Sequence, residues 1–190
     1  LYEYKICSAA LRNEGNAPFI LYAKGLPSAE GKRKASPIVV LFHGLSDSPF
    51  SLRGVAEYLN NKGFTVVVPL TPGHGKLNAE ADMQDPNLKQ RWYDHVDSIM
   101  SLVGPYSDQT FIDGFSTGGT LATRYMLLHP SEIDGLLLFS GALALSKNAE
   151  NLARIWGMKW IAKIVDGDFI SEGPHPYRYP DVAGYAGLTL

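Results

Sequence analysis

Ser116, with glycines two positions to either side in Gly114-Phe115-Ser116-Thr117-Gly118, is the residue best placed to do chemistry. A serine hydroxyl is a weak nucleophile. It acts only where a base can take its proton and donors can hold the oxyanion that forms. A sharp turn from a strand into a helix lifts such a serine clear of the sheet, and the backbone then passes too closely for side chains at the two flanking positions. Gly114 and Gly118 meet that demand, and Gly119 leaves room for the helix to pack. The spacing therefore predicts attack of Ser116 on an acyl carbonyl, with the backbone N–H of Thr117 as one oxyanion donor. The second donor belongs on the loop after an earlier strand. His43-Gly44-Leu45-Ser46 occupies that place, and the N–H of Leu45 is the candidate. His43 precedes the loop and reads as a structural histidine rather than a base.

Elements able to position these groups are visible on either side. Residues 37–42, Pro-Ile-Val-Val-Leu-Phe, form an unbroken apolar run, as in a strand buried on both faces. Ser48 and Pro49 predict a helix start, with Leu52, Val55 and Leu59 on one face and Gly63 as the stop. Residues 64–69 are a second buried strand. Leu88, Trp92, Val96, Ile99 and Val103 recur at helical spacing. Residues 109–113 are a third strand, leading into the Ser116 turn and a helix over 117–129 stopped by Pro130. Leu136-Leu137-Leu138-Phe139 reads as a fourth buried strand, and the segments near Tyr4 to Ile6 and Phe19 to Tyr22 as two leading antiparallel strands. This alternation predicts an α/β architecture, a mostly parallel sheet with helices on both faces.

Composition narrows the function classes. The 190 residues suffice for one domain, and 45% hydrophobic with 19% charged residues is the balance of a folded globular chain. The net charge is −2, and the one basic cluster, Lys32-Arg33-Lys34, reads as a solvated loop, so no nucleic-acid partner is expected. A single cysteine, Cys7, excludes an internal disulfide framework. No apolar stretch is long enough to span a bilayer. The compartment stays open, with the cytoplasm favoured over a secreted or periplasmic location. The histidines are scattered, without HExxH spacing or a cysteine partner, so neither a metal nor another cofactor is expected.

Three motifs in order, His43-Gly44-Leu45, Pro72-Gly73-His74-Gly75 and Gly114-Phe115-Ser116-Thr117-Gly118-Gly119, resemble the α/β-hydrolase superfamily, most closely its bacterial carboxylesterases and monoacylglycerol lipases. The resemblance is strong over residues 37–145. It implies an α/β-hydrolase fold, incomplete at the C-terminus, that cleaves short or medium acyl esters or monoacylglycerols through an acyl-enzyme on Ser116. It also implies a core over 1–140 and, over 141–190, a small helical cap with the start of the return to the core. The apolar helix expected over 151–165 would be that cap, with Trp156 and Trp160 either lining an acyl pocket or packing on the body.

The sequence departs from the family where the catalytic Asp and His should follow. Asp166, Asp168 and Asp181 lie in or near the cap, His175 in a proline-rich loop, and His95 and His129 read as surface residues on helices. His74 borders the site without being its base. The Asp and His are therefore expected from outside this chain, from a second chain or a missing C-terminal segment, which would also cover an otherwise bare edge at Leu136 to Phe139. A thioesterase or acyltransferase would share the serine, and a non-catalytic ligand-binding protein of the same fold is the reading from another class. Dehalogenase chemistry would need an aspartate where Ser116 stands.

Overall fold

In the computed structural model, residues 10–23, 36–77, 79–144, 147, 151, 154–165, 177 and 184–187 are described. The expected strand near Tyr4 to Ile6 lies outside them. The apolar runs become strands β1 (Phe19–Leu21), β2 (Ile38–Phe42), β3 (Thr65–Val68), β4 (Thr110–Phe115) and β5 (Gly135–Phe139). They form one sheet in the order β1-β3-β2-β4-β5. β1 runs antiparallel to β3, and every other pairing is parallel.

All five residues of β2 are buried, as expected of the central strand with apolar side chains on both faces. Alternation splits them between two cores. Val40 and Phe42 join Ile112 beneath α3 (Leu88–Val103) and α4 (Thr117–Leu128), through Trp92, Val96, Leu121 and Tyr125. Val39 and Leu41 join Val66 and Val68 against Leu52 and Ala56, the latter on α1 (Arg53–Asn61). Past the end of α1 the chain turns at Gly63, whose φ of 96° a side chain would strain. Below it the Asn60 side-chain amide donates to the carbonyls of Leu21, Tyr22 and Phe64, tying the end of β1 to the start of β3. A short α2 (Glu80–Met83), α5 (Met158–Val165) and α6 (Gly184–Gly187) are further α-helices. None of the described helices is long and apolar enough to cross a membrane.

Three local expectations are corrected. Ser48 does not cap a helix with its side chain: the chain enters a 3-10 turn over Pro49–Leu52, and the Asp47 carboxylate takes the Ser48 N–H at 2.8 Å. His95 is not a surface residue but half-buried on α3, and burial lowers its pKa to about 4. β5 is not buried: Leu137, Leu138 and Phe139 are 37–42% exposed, because β5 is the last strand of the described sheet and pairs only with β4 there.

Candidate active site

The register Phe42↔Gly114 brings the carboxyl ends of β2 and β4 side by side, so the loops that leave them meet. Sheet order diverges at this point, since β2 leads outward to β3 and β4 leads outward to β5. Ligands of open α/β sheets bind at such switch points.

Ser116 is the single residue between β4 and α4 and is held at φ 52°, ψ −115°. A non-glycine residue at positive φ is strained, and its neighbours must over-determine it to hold it there. They do so on both sides. The Ser116 N–H donates to the carbonyl of Phe139 at 3.1 Å, and the Ser116 carbonyl accepts from Gly119 and Ala142, both at 3.0 Å. The glycines are required as the spacing predicted. A Cβ on Gly114 would stand 2.1 Å from the Gly118 carbonyl carbon, and one on Gly118 would stand 2.1 Å from the Phe42 carbonyl oxygen. α4 thus starts in backbone contact with both β2 and β4.

The other loop arrives where the sequence placed it. A Cβ on Gly44 would lie 3.3 Å from the Ser116 Cβ and 3.0 Å from the Phe115 ring, so this chain passes directly beside the serine. Leu45 follows, half-buried, and Thr117 is buried as the first residue of α4. Neither backbone N–H has a hydrogen-bond partner among the described residues. For Thr117 this is the ordinary state of a helix N-terminus. The Ser116 hydroxyl likewise has no partner among the described residues.

His43 and His74 form a buried pair behind this loop. His43 is 1% and His74 2% exposed, and their rings meet edge to face with centroids 4.9 Å apart. The Thr71 N–H donates to His43 Nε2 at 3.0 Å, so that nitrogen carries the lone pair and Nδ1–H donates to the Gly44 carbonyl at 2.9 Å. Burial lowers the His43 pKa to about 4 and, with His43 alongside, that of His74 to about 3. Both are neutral near pH 7, and their burial excludes either from meeting a substrate as a base. His129 is elsewhere, stacked on Tyr125 and bonded to Glu132. His175, Asp166, Asp168 and Asp181 lie outside the described residues.

Sequence reasoning overlooked Asp113. It is buried on β4 with Oδ1 unpartnered among the described residues, and burial pushes its carboxyl up to about 7. The signal was present as an acid inside the apolar run Phe111-Ile112-Asp113. Among the described residues no cluster of three or more His, Cys, Asp or Glu side chains could hold a metal. Trp156 is 98% and Trp160 68% exposed among the described residues.

Residues 33–172 match the family described as serine aminopeptidase, S33. The chain is 31% identical over 105 residues to the thermostable monoacylglycerol lipase of Bacillus sp. (strain H-257), a match covering 55% of this chain and 40% of that one. It is 37% identical over 76 residues to a probable carboxylesterase of Oryza sativa subsp. japonica, covering 38% of this chain and 32% of that one. The matches thus reach less than half the length of either curated relative. Among solved structures, a metagenome-derived lipolytic enzyme from the LipS and LipT study shares the fold with a TM-score of 0.66 at 22% identity, over 92% of this chain and 68% of that one. The monoacylglycerol lipase of Paleococcus ferrophilus does so with a TM-score of 0.57 at 23% identity, over 90% of this chain and 68% of that one. With an open, mostly parallel sheet and a family match across most of its length, this chain belongs to the serine aminopeptidase S33 family of α/β-hydrolases.

Proposed function

We propose that this chain carries the nucleophile and oxyanion donors of a serine hydrolase that cleaves carboxylic esters, with short or medium acyl esters or monoacylglycerols as substrates. The observation that carries the reading is Ser116 itself, a strained residue between a buried strand and a helix N-terminus with the Gly44–Leu45 loop against it. Its hydroxyl attacks the ester carbonyl, and the N–H groups of Leu45 and Thr117 take up the charge developing on the oxygen. Collapse of the tetrahedral adduct expels the alcohol and leaves an acyl-enzyme, which water then hydrolyses.

The base and its orienting acid come from a segment beyond the described residues, of this protein or of a partner chain, that packs along the half-exposed β5. Residues 1–140 are the core, and 141–190 form a small cap and the start of the return to it. Similarity to a monoacylglycerol lipase and a carboxylesterase supports an ester as substrate. The family description supports an aminoacyl amide as a second reading, since the same acyl-enzyme would serve.

Activity of the intact protein on p-nitrophenyl esters and aminoacyl p-nitroanilides separates the two. Ser116→Ala should lower ester turnover by on the order of 10⁴-fold or more and abolish fluorophosphonate labelling. Unchanged labelling would refute the assignment of Ser116.

A further inference from the structure

The buried histidine pair has a geometric consequence for the oxyanion site. A trans peptide is planar, so the carbonyl of Gly44 and the N–H of Leu45 belong to one rigid unit and point in opposite directions. Whatever holds that carbonyl therefore aims that N–H. Two donors hold it: His43 Nδ1–H at 2.9 Å and the Asp47 N–H at 3.2 Å. Burial keeps His43 neutral near pH 7, and a neutral ring donates from Nδ1 only in the tautomer that leaves the lone pair on Nε2, which the Thr71 N–H at 3.0 Å enforces. Thr71 is in turn fixed from its other side, where its carbonyl accepts from the His74 N–H at 3.1 Å.

The His74 ring closes the arrangement. Its Nδ1 donates to the Pro72 carbonyl at 3.2 Å, which also accepts from Trp92 Nε1 at 2.8 Å, and its Nε2 is buried without a partner among the described residues. The ring stands edge to face against His43, with Trp92 on its other side at 5.9 Å between centroids. No charge is needed for these contacts, and His43, Thr71, His74 and Trp92 are all buried.

We propose that His43 is a positioning residue that aims the Leu45 N–H at the oxyanion, held in its working tautomer by Thr71 and supported by His74. The inference rests on the reading of Ser116 and Leu45 given above. It assigns His43 no proton transfer.

Two substitutions in the intact protein separate aim from packing. Asparagine places its amide nitrogen near the position of the imidazole Nδ1, and glutamine places its amide near that of Nε2. His43→Asn should keep the bond to the Gly44 carbonyl and stay within about tenfold of wild-type kcat. His43→Gln should keep the Thr71 contact, lose the aim, and lower kcat by on the order of 10²-fold with KM little changed, the usual loss when one oxyanion donor is removed. Affinity for an alkylboronate, which mimics the tetrahedral adduct, should fall in parallel with kcat. Equal losses in the two variants, or a loss in KM with unchanged boronate affinity, would overturn the proposal. Nitrogen NMR of the wild-type imidazole does not depend on either variant folding: His43 should be the Nδ1–H tautomer, and an Nε2–H tautomer would refute the mechanism. If Ser116→Ala retained turnover, the functional reading would fail while this tautomer could still be observed, so the two failures are distinguishable.

Discussion

Replacing Asp113 with asparagine should stabilise the protein in a strongly pH-dependent way. The carboxyl lies on β4 in register with Leu41 of β2 and Leu137 of β5, is 2% exposed, and has one oxygen without a partner among the described residues. Burial pushes its pKa from 3.8 up to about 7, and a backbone hydrogen bond at Gly114 offsets only part of that. In this window the folded state holds a proton that the unfolded chain has released. The stability contribution of the neutral acid is therefore complete below pH 3.8 and is lost as pH rises to about 7. Each pH unit costs about 1.4 kcal/mol, so the rise from pH 5 to 7 removes about 3 kcal/mol that the neutral Asp113→Asn amide would keep. Urea unfolding of both proteins at pH 5, 6, 7 and 8 measures this. The gap in unfolding free energy should widen in favour of the variant up to pH 7 and then level off, with equal m-values. A gap independent of pH would mean that the carboxylate is charged and paired in the folded state, and would refute the argument.

The buried histidines should have the opposite effect. His43 and His74, with folded pKa values of about 4 and 3, stay neutral where an unfolded histidine at 6.5 is already charged, so each should cost about 1.4 kcal/mol of stability per pH unit as pH falls from 6.5 toward 4. Chemical denaturation of His74→Phe should show a shallower acid loss than wild type, and an identical slope would count against burial as the cause. Gly118→Ala should destabilise the protein by more than about 3 kcal/mol, because its Cβ would meet backbone at 2.1 Å, and a midpoint shift of only a degree or two in a melting curve would contradict the close approach. If Trp156 and Trp160 meet acyl chains, the double alanine variant should lose turnover of long-chain esters more than of acetyl esters, about tenfold or more. Equal losses across chain lengths would point to packing instead.

The strands and the serine turn were legible because their signals are local. An apolar run such as Ile38 to Phe42 has few alternatives to a buried strand, and glycines at 114 and 118 answer a contact made within the turn and its neighbouring strand. β5 was read both as a buried strand and as an edge left bare without a further segment, and among the described residues it is the half-exposed edge. Leu136 to Phe139 has the composition of a strand buried on both faces, and composition records what a strand is built to contact, not what is present beside it. Ser48 and Pro49 announced the right place for a helix start, yet the Ser51 N–H that a Ser48 side-chain cap would take goes to the Ser48 backbone carbonyl at 3.2 Å instead. His95 and Asp113 were misjudged or missed because a polar residue in an apolar pattern carries no sign of whether its partners lie across the fold.

The pairing of β2 with β4 also governs when the site can exist during folding. Gly44 leaves β2 and Ser116 leaves β4, but β3, α2 and α3 all lie between them in the chain. Closing so large a loop is entropically costly and slow compared with forming a local hairpin or helix. The strained turn at Ser116 and the loop at Gly44 therefore become neighbours only when the central strands zip together, and no early, locally ordered form of the chain can bring them into contact. A protease cut in the segment between β3 and α3 would leave one half of the pair on each piece. Recovery of the site would then depend on the two pieces finding each other again, and its rate would rise with their concentration.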